Sequence, residues 1–266
     1  MVKKSDPKGS LFKERGMFTN ANKLKGILRN VSILALSCVV SYSAYASDKA
    51  ATTVAPSVKR DVYANSPLNP RDSKLPNVLV LGDSISVQYT LDVQKLLKGK
   101  VNICRPTKPD GTGMFNVGGT TNCLKMMDQE QWLADTKWAV VYFNYGIHDL
   151  TKKVHSTTIE QYEKNLNELL KRFKEAGAKV IFATTTPLGK GLKGNAERNA
   201  DLVPNYNAAA VKVMQANGVK ISDLYAFALP QIDTILSKDN VHFTKQGSAI
   251  LATEVAKAIE AELMAK

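Results

Sequence analysis

Val78-Leu79-Val80-Leu81-Gly82-Asp83-Ser84-Ile85 is an apolar run of strand length that ends on a glycine and then presents an acid and a hydroxyl. A short, continuous apolar run closed by a turn signal is the pattern of a strand buried on both faces, as in a parallel sheet. Glycine at its end lets the backbone turn sharply, and the sites of open α/β sheets lie at the C-terminal ends of the strands. Ser84 is therefore expected at the rim of a sheet. Taken alone, Gly82-Asp83-Ser84 reads equally well as an ordinary turn leading into a helix N-cap, since Asp and Ser are favoured in both roles.

Working outward, strand-like runs at 77–81, 101–104, 138–144, 179–184 and 219–221 alternate with helical spacing at 86–97, 122–133, 159–176, 205–217 and 244–266. Strands separated by helices of this length need right-handed crossovers, which predicts an α/β fold: a single three-layer α/β/α domain over 77–266 around a parallel sheet of five strands. Gly177 and Gly218 stand where helix C-caps are expected. Two polar segments, Arg105 to Thr121 and Pro187 to Pro204, interrupt the alternation and are expected to lie over the C-terminal edge of the sheet.

The 266 residues, 44% hydrophobic and 23% charged, have the composition of a globular protein. The first 46 residues read differently. Eight Lys/Arg between Lys3 and Arg29 precede the apolar Val31 to Val40, and Ala44-Tyr45-Ala46 follows, which is the order of a secretory signal peptide cut after Ala46. Met17 offers an alternative start that gives a leader of common length. The apolar stretch is short for a bilayer span, so no stable membrane insertion is expected once the leader is gone. Leu36-Ser37-Cys38 loosely resembles a lipoprotein signal, but Ala35 stands where that signal prefers leucine, and soluble export to the periplasm or medium is the expectation. Residues 47–76, rich in Ser, Ala, Pro and Asn, read as a linker or arm.

Residues 1–46 carry eight Lys/Arg and two Asp/Glu, so their removal takes the net charge from +12 to +6. Half of the basic excess is thus targeting signal and gives no ground for nucleic-acid binding. Cys104 and Cys123 remain, an even pair in a compartment where disulfides persist; they are read either as a disulfide or as two separate buried thiols.

A serine hydroxyl is a weak nucleophile until a base takes its proton, and of three histidines His242 is best placed. It lies just before the last helix, with Asp239 three residues upstream, a spacing at which one turn brings the carboxylate to Nδ1 and leaves Nε2 for Ser84. An acyl-transfer site also needs donors for a developing oxyanion. Two segments offer them: Asn116-Val117-Gly118-Gly119-Thr120, and Asn144-Tyr145-Gly146-Ile147-His148-Asp149. Binding of phosphate at Gly118 to Thr120 is disfavoured because no Walker lysine or Rossmann glycine pattern accompanies it. A metal site of His148, Asp149 and His155 matches no common zinc spacing, so neither metal nor other cofactor is expected.

These four segments, in this order, resemble the blocks of the SGNH, or GDSL-type, hydrolase superfamily, from about residue 77 to the end of the chain. The resemblance implies a flavodoxin-like fold and a serine esterase working through an acyl-enzyme, with a small-molecule or glycan ester as substrate. It implies Ser84 as nucleophile and first oxyanion donor, His242 as base and Asp239 as its partner. Gly118 is the implied second donor ahead of Gly119, from the match to a Gly-x-Thr pattern. One block departs from the family: Gly146-Ile147-His148-Asp149 has histidine where Gly-x-Asn-Asp is usual. Its position makes His148 the candidate third donor, with Asn144 as the donor or a weaker hole with slower turnover as the alternatives. Lipases, thioesterases and acyltransferases share this machinery, and a non-catalytic binding protein on the same fold is the rival from another class.

Overall fold

The computed structural model describes residues 69, 71–108, 112–134, 136–151, 157–189 and 199–265. The expected leader 1–46 and residues 47–68 of the arm lie outside them. The end of the arm is tied to the domain: Asn102 Nδ2 donates to Asp72 O at 2.8 Å, and Asp72 N donates to Asn102 Oδ1 at 2.8 Å.

Five strands form one parallel sheet: β1 (Asn77–Gly82), β2 (Asn102–Cys104), β3 (Trp138–Asn144), β4 (Lys179–Ala183) and β5 (Lys220–Ser222). Their spatial order is β2-β1-β3-β4-β5, so the chain winds outward to one side of β1, then returns and continues on the other. β1 and β3, in register from Val78 opposite Val140 to Gly82 opposite Asn144, occupy the middle. Both are buried on both faces, as their unbroken apolar runs predict.

Alternation along the strands divides the core. Leu79, Leu81, Val141, Phe143 and Phe182 face one side, covered by α2 (Thr120–Glu130), α3 (Ile159–Glu175) and α4 (Val203–Ala216). In α3, Tyr162, Leu166, Leu169, Leu170 and Phe173 repeat at helical spacing and all are buried, which is why this segment is a helix lying on the sheet. Phe143 meets Phe173 and Phe182 edge-on at centroid distances of 5.2 and 5.1 Å, contacts worth about 0.5–1.5 kcal/mol each beyond area burial. Val78, Val80, Val140, Tyr142 and Ile181 face the other side, under α1 (Ser84–Leu96) and α7 (Lys245–Met264).

The structure departs from the sequence expectation in its helices, and it shows the second of the two readings of the cysteines. Leu224–Ala228 and Ile232–Ile235 form two short helices, α5 and α6, in a stretch with no sustained period. The second helix ends at Glu130, where Gln131 takes a left-handed φ of 49°, rather than running on to Leu133. Cys104 and Cys123 are not bridged: both remain thiols, buried at the end of β2 and on α2. Cys123 Sγ instead accepts the Tyr145 hydroxyl at 3.0 Å, so apolar packing and one hydrogen bond settle it without a partner cysteine. Among the described residues no helix is long and apolar enough to cross a membrane.

Candidate active site

β1 ends at Gly82, whose φ of +149° and surroundings both demand glycine: a Cβ there would stand 2.6 Å from Ser86 Oγ and 2.7 Å from Asn144 O. Asp83 caps α1, its carboxylate accepting the Ile85 amide at 2.9 Å. Ser84 is then the first residue of the helix and half-buried at the C-terminal rim of the sheet. Both readings of Gly82-Asp83-Ser84 thus hold together: the cap builds the turn that lifts the serine.

The segment after α6 carries His242. A bridge between Leu236 and Phe243, with Ser237 N donating to His242 O at 2.7 Å, closes a tight loop whose corner is Asn240 at φ 60°. Asp239 organises that loop through one oxygen: Oδ1 accepts Ser237 Oγ at 2.6 Å, Val241 N at 3.0 Å and His242 N at 2.9 Å. The other oxygen, Oδ2, lies 2.5 Å from His242 Nδ1, and His242 Nε2 lies 2.8 Å from Ser84 Oγ. With Nδ1–H donated to the carboxylate, Nε2 is the lone-pair nitrogen facing the serine. Partial burial pushes the Asp239 carboxyl up, but the hydrogen bonds from Ser237, His242 and Val241 outweigh it and hold the group well below the usual carboxylate range. It is an anion in the working pH range.

Gln88, one turn beyond Ser84 on α1, grips the backbone beside His242: its Nε2 donates to Phe243 O and its Oε1 accepts Phe243 N, both at 3.3 Å. No sequence signal marked this residue. Its partner is 155 positions away, and an amide in a helix carries no period.

Val117 N donates to Gly82 O at 3.1 Å, which docks the loop after β2 against the turn that carries Ser84. Gly118, at φ +79°, donates its N–H to Asn116 Oδ1 at 3.1 Å. Gly119 is the N-cap position of α2 and packs over the Asp149 carboxylate. Asn144 is not a donor to the site: its amide is spent on Ala183 O and Thr184 O, at 3.0 and 3.1 Å, across the end of β4. That overturns the alternative that gave it the oxyanion.

His148 follows in the turn after β3 and, with Gly119, lines a cavity of about 650 Å³ walled by Thr121, Asn122, Lys125 and Gln161. Asp149 points the other way, into the protein, where it accepts Thr120 N at 3.0 Å and Thr120 Oγ1 at 2.5 Å. Burial pushes its carboxyl up to about 6 despite those hydrogen bonds. His155 lies outside the described residues. Thr184 and Thr185, at the end of β4, are structural: their hydroxyls donate to Asp223 Oδ1 at 2.8 Å and Tyr145 O at 3.0 Å.

Solved structures share this fold. The acetyl xylan esterase AlAXEase superposes with a TM-score of 0.55 at 19% identity, over 69% of this chain and 99% of its own. The lipase/acylhydrolase from Enterococcus faecalis gives 0.59 at 21% identity, over 70% and 96%. Axe2, an acetylxylan esterase from Geobacillus stearothermophilus, gives 0.55 at 18% identity, over 72% and 95%. No curated protein matches the chain at a significant level. Residues 80–250 match the GDSL-like Lipase/Acylhydrolase family, a span that runs from β1 to the first turns of α7 and takes in Ser84, Asp239 and His242. The chain is a carboxylic ester hydrolase and belongs to that family.

Proposed function

We propose that the chain is an exported serine esterase that removes small acyl groups, acetyl above all, from a sugar or similar polar alcohol. The observation that carries this reading is the unbroken relay from Asp239 Oδ2 through His242 to Ser84 Oγ. Ser84 Oγ attacks the ester carbonyl while His242 Nε2 takes its proton, and Asp239 holds the tautomer and stabilises the imidazolium. The tetrahedral oxyanion forms against the Ser84 and Gly118 amides, with a His148 ring N–H as third donor in place of the family's asparagine. Collapse expels the alcohol, which receives the proton from His242. Water, deprotonated by the same nitrogen, then cleaves the acyl-serine and releases the acid.

Gly118 serves in this role by exchanging Asn116 Oδ1 for the oxyanion. Asn116 is exposed, so its side chain turns away at small cost. The hydroxyls and amides of Thr121, Asn122, Thr157 and Gln161 around the cavity beside His148 offer hydrogen bonds to a hydroxylated alcohol. So does the presence of acetylxylan esterases among the proteins of similar fold. Export rests on the leader expected at residues 1–46.

The test is a substrate panel. Acetylated oligosaccharides should be cleaved with a higher kcat/KM than p-nitrophenyl octanoate. The reverse preference contradicts the substrate class, and acyl transfer to an added alcohol in preference to water identifies a transferase instead.

A further inference from the structure

Arg105 follows β2 in a segment whose sequence reads as a polar surface loop, yet it is fully buried. Burying a guanidinium costs free energy unless hydrogen bonds replace its water, so where those bonds go is informative. Nη1 donates to Ser86 Oγ at 2.8 Å, and Nη2 donates to Gly82 O at 2.7 Å and Asp83 O at 3.2 Å. Nε and Nη2 also donate to Phe115 O, at 3.2 and 3.1 Å. One cation therefore fastens the turn that lifts Ser84 to the loop that leads into Gly118. Asn69 fixes the root of this side chain, accepting Arg105 N at 2.9 Å and donating to Arg105 O at 2.8 Å.

The Asp83 carbonyl belongs to the same peptide unit as the Ser84 N–H. A charged donor on that oxygen draws electron density along the amide and makes the N–H a better donor, the polarisation that strengthens chained hydrogen bonds. Ser86 Oγ, itself held by Arg105, donates to the same carbonyl at 2.7 Å. We infer that Arg105 is the positioning residue of the oxyanion hole. It sets the Ser84 and Gly118 amides relative to each other and polarises the Ser84 amide toward the developing charge. This rests on the esterase reading above, in which those two amides are the donors. Lysine in its place keeps the charge but cannot reach across both segments with a planar fork.

The test uses Arg105→Lys and Ser86→Ala in the full chain, with thermal melts to confirm folding. It compares kcat and KM for p-nitrophenyl acetate with inhibition by phenylboronic acid, which bonds to Ser84 Oγ and places an anionic tetrahedral centre in the hole. Arg105→Lys should lose about 10- to 100-fold in kcat, keep KM within about threefold, and bind the boronate more weakly by a similar factor; Ser86→Ala should shift kcat and boronate affinity the same way by less. A purely structural residue would lower the melting temperature and leave the kcat and boronate affinity of the folded enzyme unchanged. That outcome in the folded variants overturns the inference, and if Arg105→Lys does not fold, Ser86→Ala decides by the same criterion. A wild-type chain that is folded but neither turns over ester nor binds boronate overturns the esterase reading itself, and the inference with it.

Discussion

Gln88 and Phe243 exchange two hydrogen bonds, side-chain amide to backbone carbonyl and backbone amide to side-chain oxygen, each at 3.3 Å. Gln88 stands one helical turn from Ser84 and Phe243 is the neighbour of His242, so this pair ties the start of α1 to the His242 loop. Gln88→Ala should lower kcat by about tenfold with little change in KM, because a base displaced by a fraction of an ångström still binds substrate but transfers the proton poorly. Steady-state kinetics on an acetyl ester, with folding confirmed, checks it. Unchanged kcat would mean that the His242 loop holds itself.

The relay predicts unequal losses. Ser84→Ala and His242→Ala should each cost at least about a thousandfold in kcat, while Asp239→Asn should cost less, since nucleophile and base both remain. Asp239 also shapes the loop through Ser237, Val241 and His242, so the comparison should be made on the folded fraction.

Asp149 predicts a pH dependence of stability. Burial raises its carboxyl from 3.8 to about 6, so between those values the folded protein binds a proton that the unfolded chain releases. Stability from this group is therefore fully present below about pH 4 and is lost as pH rises toward 6, by on the order of 3 kcal/mol. Asp149→Asn removes the titration. Denaturation of both proteins at pH 4 and pH 6.5 should show the wild type losing stability relative to the variant across that window. Parallel behaviour would mean that the carboxylate is ionised in the fold at ordinary cost.

The cysteines predict a chemical result. Burial pushes the Cys123 thiol up to about 12, and Cys104 is equally enclosed. Neither should react with iodoacetamide in the native protein, and both should react once it is unfolded without reductant. A mass shift that needs reductant would reveal a disulfide after all.

Much of this was legible in the sequence where the signal is local. The apolar runs at Val78 to Leu81 and Val140 to Phe143 are strands because both faces are covered. Asp239 and His242 were found because a three-residue turn suffices to bring them together. What escaped were residues whose partners lie far along the chain and are mostly backbone atoms. Arg105 reads as a loop cation because nothing near it in sequence shows that five hydrogen bonds await its guanidinium. Asn144 looked available for the oxyanion because only the parallel pairing of β3 with β4 brings Ala183 and Thr184 to its amide. The cysteine pair was ambiguous from the start, since spacing carries no geometry.

The proposed reaction requires Ser84 to be the activated nucleophile. Incubation of the folded chain with a fluorophosphonate, followed by intact mass and peptide mapping, tests this most directly. It predicts a single adduct on Ser84 that is absent in Ser84→Ala and formed far more slowly in His242→Ala. A folded wild-type protein that takes up no label, or carries it on another residue, would contradict it.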